Sequence, residues 1–126
     1  RAAAESGWDF SSRWFEDTFS LSKIQTTQII PVDLNCLMYN MEKTLQYAYR
    51  INANPQKAKK MKIRANKRKN LILKYLWDST LGYFYDYNFV KKQKTSRSSL
   101  AGVYPLFFEI ANDSIAKKVI NKIKNE

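Results

Sequence analysis

The chain has no histidine, one cysteine, three glycines and three prolines among 126 residues. Each scarcity excludes something. Without histidine, the Ser-His-Asp arrangement of nucleophilic hydrolases and the common histidine-containing zinc sites cannot be built. A single Cys36 cannot close an internal disulfide, and within an apolar helical run it reads as a small buried hydrophobe. Few glycines and prolines argue against long disordered linkers. No apolar run is long enough to span a membrane as a helix. Acidic residues are also scarce, with 11 against 22 basic ones, which leaves a net charge of +11. The imbalance concentrates in Lys57 to Lys69, a run without any acid. Such a run on a helix is most often a solvated face, although a basic surface can also attract an anionic partner.

What is present is a substantial apolar and aromatic content, 44% hydrophobic with 3 Trp, 8 Tyr and 7 Phe. At 14.8 kDa this suffices for one core and for at most one domain. The chain begins at Arg1 without an initiator methionine, which fits a processed or truncated protein. No signal peptide is visible, and the compartment stays open between cytoplasmic and periplasmic or secreted.

The densest chemistry lies in Arg-Ala-Ala-Ala-Glu-Ser-Gly-Trp-Asp-Phe-Ser-Ser-Arg-Trp, Arg1 to Trp14. Acid, base, aromatic and glycine residues alternate there without a helical or strand period, as in loops that hold polar ligands. Asp9 stands between Trp8 and Phe10. Flanking rings that remove water from a carboxyl group would favour its protonated form, which a general acid requires.

Downstream the pattern is helical. Arg1 to Ile30 reads mainly as loop, with a short helix near Ser11 to Phe19. Pro31, followed by Asp33 in a first turn, opens a helix predicted to run to Ile51, with Leu34, Leu37, Met38, Met41, Leu45 and Ala48 as its apolar stripe. Asn54 and Pro55 restart a helix that extends to Leu76, striped by Ala58, Met61, Ala65, Ile72 and Leu76. The short turn between the two implies an antiparallel αα-hairpin. Asp78 to Gly82 reads as a turn, Tyr83 to Phe89 as a short strand or irregular segment, and Lys91 to Ser99 as a loop. Leu100 to Ala111 is apolar enough for a buried helix broken near Pro105. Asn112 or Asp113 caps a final helix carrying Ile115, Val119 and Ile123.

The Arg1 to Trp14 run resembles a signature of the trehalase family of glycoside hydrolases. Gln25-Thr26-Thr27-Gln28-Ile29-Ile30-Pro31-Val32-Asp33-Leu34-Asn35 resembles a second family run at the same spacing. Weaker likenesses are Tyr75-Leu76-Trp77-Asp78, Tyr85-Asp86-Tyr87 and Pro105-Leu106. The resemblance implies an all-α fold, an (α/α)6 toroid of paired antiparallel helices with its active site in long loops at one end. Residues 1–126 would form a partial arc of it, a single internal portion of a trehalase-like catalytic domain. Such an arc leaves apolar faces uncovered, so the isolated chain is expected to be marginally stable or aggregation-prone.

The implied activity is inverting hydrolysis of α,α-trehalose by two carboxyl groups, without a cofactor or metal. The resemblance assigns the general acid to Asp9 and a sugar contact to Gly7. Glu5 either orients Asp9 or binds Arg13, the structural use being favoured. Trp8 stacks on sugar or packs inside. Arg1 and Arg13 bind hydroxyls or brace the loop with salt bridges, and Asp33 and Asn35 are expected to brace it through its backbone.

The second carboxylate is missing from this stretch. Asp86 and Glu109 are the only acids in plausible downstream places, and neither has a matching context. The family's glycine-rich segment, its earlier arginine and tryptophan motif and its later Gln-Trp-Asp motif are also absent. The remainder of the toroid is therefore needed for a complete site, and the isolated chain is expected to bind and hydrolyse trehalose or a related disaccharide poorly. Alternatives are an inactive truncated remnant, a related toroid α-glucosidase and a basic nucleic-acid-binding helical module. For the last no motif is present, so neither a nucleic acid nor a membrane is an expected partner.

Overall fold

The computed structural model describes residues 1–9, 11–15 and 20–125. Its frame is a helical hairpin. Helix α2 (Val32–Ile51) starts behind Pro31, whose extended backbone (φ −74°, ψ 139°) caps it without a side-chain bond. Helix α3 (Pro55–Tyr75) starts as the sequence predicts: Asn54 accepts the Lys57 N–H at 3.1 Å, and Pro55 lacks only a donor that the first turn could not use. Ala53, at φ 50°, makes the reversal between them. Before the hairpin come the short helix α1 (Ala2–Glu5), 3₁₀ turns at Ser12–Trp14, Leu21–Lys23 and Thr26–Gln28, and strand β1 (Ile29–Ile30). The helix expected at Ser11 to Phe19 is a 3₁₀ turn over Ser12–Trp14, capped by the Ser11 hydroxyl; residues 16–19 lie outside the described residues.

After the hairpin, β2 (Trp77–Asp78) pairs with β3 (Tyr83–Phe84) around a turn closed by Asp78, which accepts the Thr80 and Leu81 N–H groups. Strand β4 (Tyr87–Asn88) joins β1 to β5 (Gln93–Lys94) in an antiparallel sheet, with Ile30 opposite Tyr87 and Tyr87 opposite Lys94. Part of the segment expected to be loop is thus an edge strand. The buried helix expected from Leu100 to Ala111 is instead a 3₁₀ turn, Leu100–Val103, followed by one turn of α4 (Tyr104–Phe107). Pro105 opens that turn rather than kinking a longer helix, and Glu109 at φ 55° ends the segment. Helix α5 (Asp113–Lys124) is capped by Asn112 on the Ile115 N–H and buries Val119.

The core gathers Val32, Cys36 and Tyr39 of α2, Ala65 and Ile72 of α3, and the aromatic run Tyr83, Phe84 and Tyr85. The apolar stripe read from the sequence, Leu34 to Ala48, lies largely on the uncovered side of α2. Leu34 (53% exposed), Leu37 and Met41 are open to solvent, while Val32, Cys36, Tyr39 and Glu42, on the other side of α2, are buried. The reason is that α2 is apolar on two faces, and 3.6-residue periodicity identifies faces without saying which one this chain covers.

The inward face carries charge as well. Glu42 is buried and accepts both Arg68 Nε and Nη2 at 3.0 Å, and Arg68 Nη1 reaches Asn35 Oδ1 at 3.0 Å. Arg64 approaches the same carboxylate at 3.5 Å, and Lys69 donates to the Glu109 carbonyl. Part of the basic run is therefore an internal fastening of the hairpin.

Cys36 lies in this interface, its thiol pushed up to about 12 by burial and then by the charge of Asp33. At pH 8 only about one such thiol in ten thousand is ionised. Labelling by a thiol-reactive disulfide reagent should be very slow in buffer and prompt in urea. Prompt stoichiometric labelling in buffer would show that α2 and α3 do not stay packed.

Candidate active site

Asp9 and Gly7 lie together on the turn that leaves α1, and both are exposed. Gly7 adopts φ 75°, a left-handed conformation that costs glycine little. A Cβ there would meet nothing within 4 Å, so the requirement is conformational, and the space beside Gly7 is open. The expectation that aromatic neighbours desolvate Asp9 is not met on the side the structure describes. The Trp8 ring lies against Arg13, with the guanidinium carbon 5.0 Å from the ring centroid. Residues adjacent in a loop need not share a side, so sequence proximity to a ring does not bury a carboxylate.

Arg13 is the anchor of the loop. It is 1% exposed and directs four N–H···O bonds into two carboxylates. Nη1 and Nη2 donate to Asp33 Oδ2 and Oδ1 at 2.9 and 2.7 Å. Nε and Nη2 donate to Asp86 Oδ2 and Oδ1 at 2.5 and 2.7 Å. The guanidinium also lies 4.8 Å from the Trp14 ring centroid, and Trp14 Nε1 donates to the Trp8 carbonyl at 2.8 Å.

Two carboxylates against one guanidinium leave a buried excess of negative charge. The start of α2 offsets it, since Val32 N–H donates to Asp86 Oδ1 and Leu34 N–H to Asp33 Oδ1, both at 2.9 Å. Burial alone would raise the Asp33 carboxyl. The Arg13 hydrogen bonds and charge, with the Leu34 N–H, outweigh it and hold the group below the ordinary carboxylate value. Burial likewise opposes the Arg13 charge, and the bonds from Asp86 and Asp33 more than restore it.

Several expected roles change. Glu5 pairs with Arg1 at 2.9 Å on the surface and not with Arg13. Asp33 braces the loop through the Arg13 side chain rather than the loop backbone. Asn35 serves the hairpin, donating to the Pro31 carbonyl and accepting from Arg68. Asp86, a candidate downstream acid in the sequence, is committed to Arg13 and Val32 and is buried. Glu109 stands on another side, beside Tyr39 and Lys69. The role of Asp86 was hidden because 73 residues separate it from Arg13. Its signals were an acid inside an otherwise aromatic run and the weak likeness of Tyr85-Asp86-Tyr87 to the family. A groove of about 650 Å³ follows the hairpin past Asn35, Arg68, Leu71 and Tyr75, and neither Asp9 nor Gly7 lines it.

This geometry, a run from Arg1 to Trp14 clamped to the start of α2, can be set beside known proteins. The family pattern described as Trehalase matches residues 1–126. This chain belongs to the trehalase family. It is 40% identical over 119 residues to the periplasmic trehalase of Salmonella agona (strain SL483), which covers 94% of this chain and 21% of that protein. It is 38% identical over 124 residues to the periplasmic trehalase of Escherichia coli O139:H28 (strain E24377A / ETEC), covering 98% and 22%. In three dimensions it is similar to the neutral trehalase Nth1 from Saccharomyces cerevisiae, with TM-score 0.71 and 26% identity over 84% of this chain and 21% of that one. The chain thus spans about a fifth of the length of the trehalases it matches. Its paired helices form a partial arc of an (α/α)6 toroid, with the clamped loop and the short sheet preceding and following the hairpin.

Proposed function

We propose that residues 1–126 are a single piece of a trehalase catalytic domain and supply the general acid, Asp9, for inverting hydrolysis of α,α-trehalose. The observation that carries this reading is the Arg1 to Trp14 signature in a chain of the trehalase family, with Asp9 exposed on a loop whose far end is locked to α2. In this reading Asp9 gives its proton to the glycosidic oxygen as the bond to C1 breaks. A second carboxylate takes a proton from water, and that water's oxygen bonds to C1 from the opposite face, releasing two glucose molecules. The two carboxyl groups of such a pair stand roughly 6.5–9.5 Å apart. Asp86 is consumed by Arg13, so the base comes from outside this chain. Gly7 offers its uncrowded backbone to the sugar.

The exposed stripe on α2, Leu34, Leu37 and Met41, supports the same reading, because paired helices in a toroid pack on both sides. The remaining helices would cover it and, by closing over Asp9, remove the water that now surrounds the carboxyl group.

The test is a complete enzyme made by grafting residues 1–126 over the matching segment of the E. coli periplasmic trehalase. Asp9→Asn should lower kcat on trehalose by about 10²- to 10⁴-fold, the usual contribution of a positioned acid. Near-wild-type turnover would exclude the role. The chain by itself should release no glucose, and robust release without added protein would reveal an overlooked base.

A further inference from the structure

We infer that Arg13, gripped by Asp33 and Asp86, is the positioning residue of the Gly7–Asp9 turn and acts on Asp9 through Trp8. The inference rests on Asp9 being the general acid. On its N-terminal side the turn is weakly held. Helix α1 is four residues long, buries none of them and has no side-chain cap. From that side Trp8 makes a bond, its N–H donating to Ser6 Oγ, and its ring is fixed from the other side. Its ring lies against the Arg13 guanidinium, and its carbonyl accepts from Trp14, whose ring also lies against Arg13. Trp8 also packs against both hydrophobic clusters of the fold, but the stack and the Trp14 bond lead back to one buried cation.

That cation is in turn located by two distant parts of the fold. Asp33 belongs to the first turn of α2. Asp86 joins β3 to β4, and its own carbonyl accepts the Thr95 N–H at 2.8 Å, just past β5. The peptide next to Asp9 is thus referenced to the hairpin and to the sheet at once. A guanidinium can do this because it is a planar fork whose edges serve two carboxylates while its face meets an indole. A lysine at position 13 would keep the charge and lose the fork.

The consequence for catalysis is specific. Displacing a proton donor by about 1 Å can cost on the order of 10²-fold in rate while leaving substrate binding intact. A substrate whose leaving group departs without a proton should not register that displacement. α-D-Glucosyl fluoride is such a substrate, since fluoride leaves as the anion and the water attack still needs only the base.

In the grafted enzyme, Arg13→Lys and Asp86→Asn should lower kcat on trehalose roughly ten- to a hundredfold with little change in KM, and retain most of the activity on α-D-glucosyl fluoride. Asp9→Asn, assayed alongside, reports on the general acid alone. If it shows no difference between the two substrates, the general-acid reading fails. If it does, while the Arg13 and Asp86 variants lose both activities in parallel or lose neither, only the positioning role is overturned. A second readout uses the chain itself and needs no activity. In Asp86→Asn the Trp14 indole N–H should exchange with solvent much faster while Ala65 and Ile72 amides stay protected. Unchanged indole exchange, or loss of protection throughout the chain, overturns the inference.

Discussion

Replacing Arg13 with methionine should destabilise the chain by about 3–5 kcal/mol, the range found when one partner of a buried ion pair is removed. A small domain is stable by only about 5–15 kcal/mol, so the variant should be largely unfolded at modest urea concentrations. The loss has an electrostatic origin. Asp33 and Asp86 would remain close together and buried, with the α2 N–H groups as the named compensation. The pH dependence follows from the sign of the Asp33 shift. Its folded value lies below the ordinary 3.8, so its stabilising contribution is complete above that pH and is lost as pH falls through the folded value. Wild-type stability should therefore decline below about pH 4. The variant should behave oppositely, because protonating an unpaired buried carboxylate relieves repulsion. Urea unfolding followed by circular dichroism at pH 7 and pH 5 would show the gap between the two proteins narrowing at the lower pH. A gap under about 1 kcal/mol, or one independent of pH, would mean that Arg13 is not the charge partner described.

The second large effect is expected at Gly102, where no positive φ is involved. A Cβ at this position would lie 2.7 Å from the Phe84 carbonyl oxygen and inside the van der Waals envelope of the Tyr83 ring. The backbone oxygen belongs to β3 and cannot turn aside, so Gly102→Ala must separate the 3₁₀ turn Leu100–Val103 from that strand. A cost of about 3 kcal/mol, the upper part of the usual range for overpacking, is expected. Gly82→Ala makes the contrast. Its φ is 66°, yet the nearest atom to an added Cβ is Lys118 Cβ at 3.5 Å, so only the conformational penalty of about 1 kcal/mol applies. Adding Tyr83→Leu to Gly102→Ala should recover part of the loss, because the ring is removed and the carbonyl remains. Thermal or urea unfolding of the two single variants would decide the order, and equal costs would refute the crowding at Gly102.

The hairpin was legible in the sequence because its signals are local. Asn54 and Pro55 announce the start of α3, and Asn112 announces α5, from residues that cap their own helix. The sidedness of α2 was not legible. Its two apolar faces are equivalent in period, and only the third dimension shows Cys36 inside and Leu37 outside. Nor was the segment from Leu100 to Ala111 legible as two short turns. Its apolarity reports burial, while the close approach of Gly102 to the Tyr83 ring and the Phe84 carbonyl is set by a segment distant in the pattern. For the site, the identity of the loop was plain from fourteen contiguous residues, whereas the means of holding it was not. Arg13 carried the signal of a charged residue within the Arg1 to Trp14 run, but its partners sit in α2 and beyond β3, and pairing of that kind leaves no pattern along the chain.

The separation of Arg13 from Asp86 also bears on when the turn around Asp9 can acquire its shape. Contacts within the α2–α3 hairpin join residues such as Glu42 and Arg68, 26 positions apart, whereas the Arg13–Asp86 bond closes over 73. Closing a longer loop costs more chain entropy, and non-local contacts form later. During synthesis the ribosome delivers the Asp9 turn before the hairpin and the residue that completes its clamp after it. The Asp9 turn is thus made before the hairpin and ordered after it.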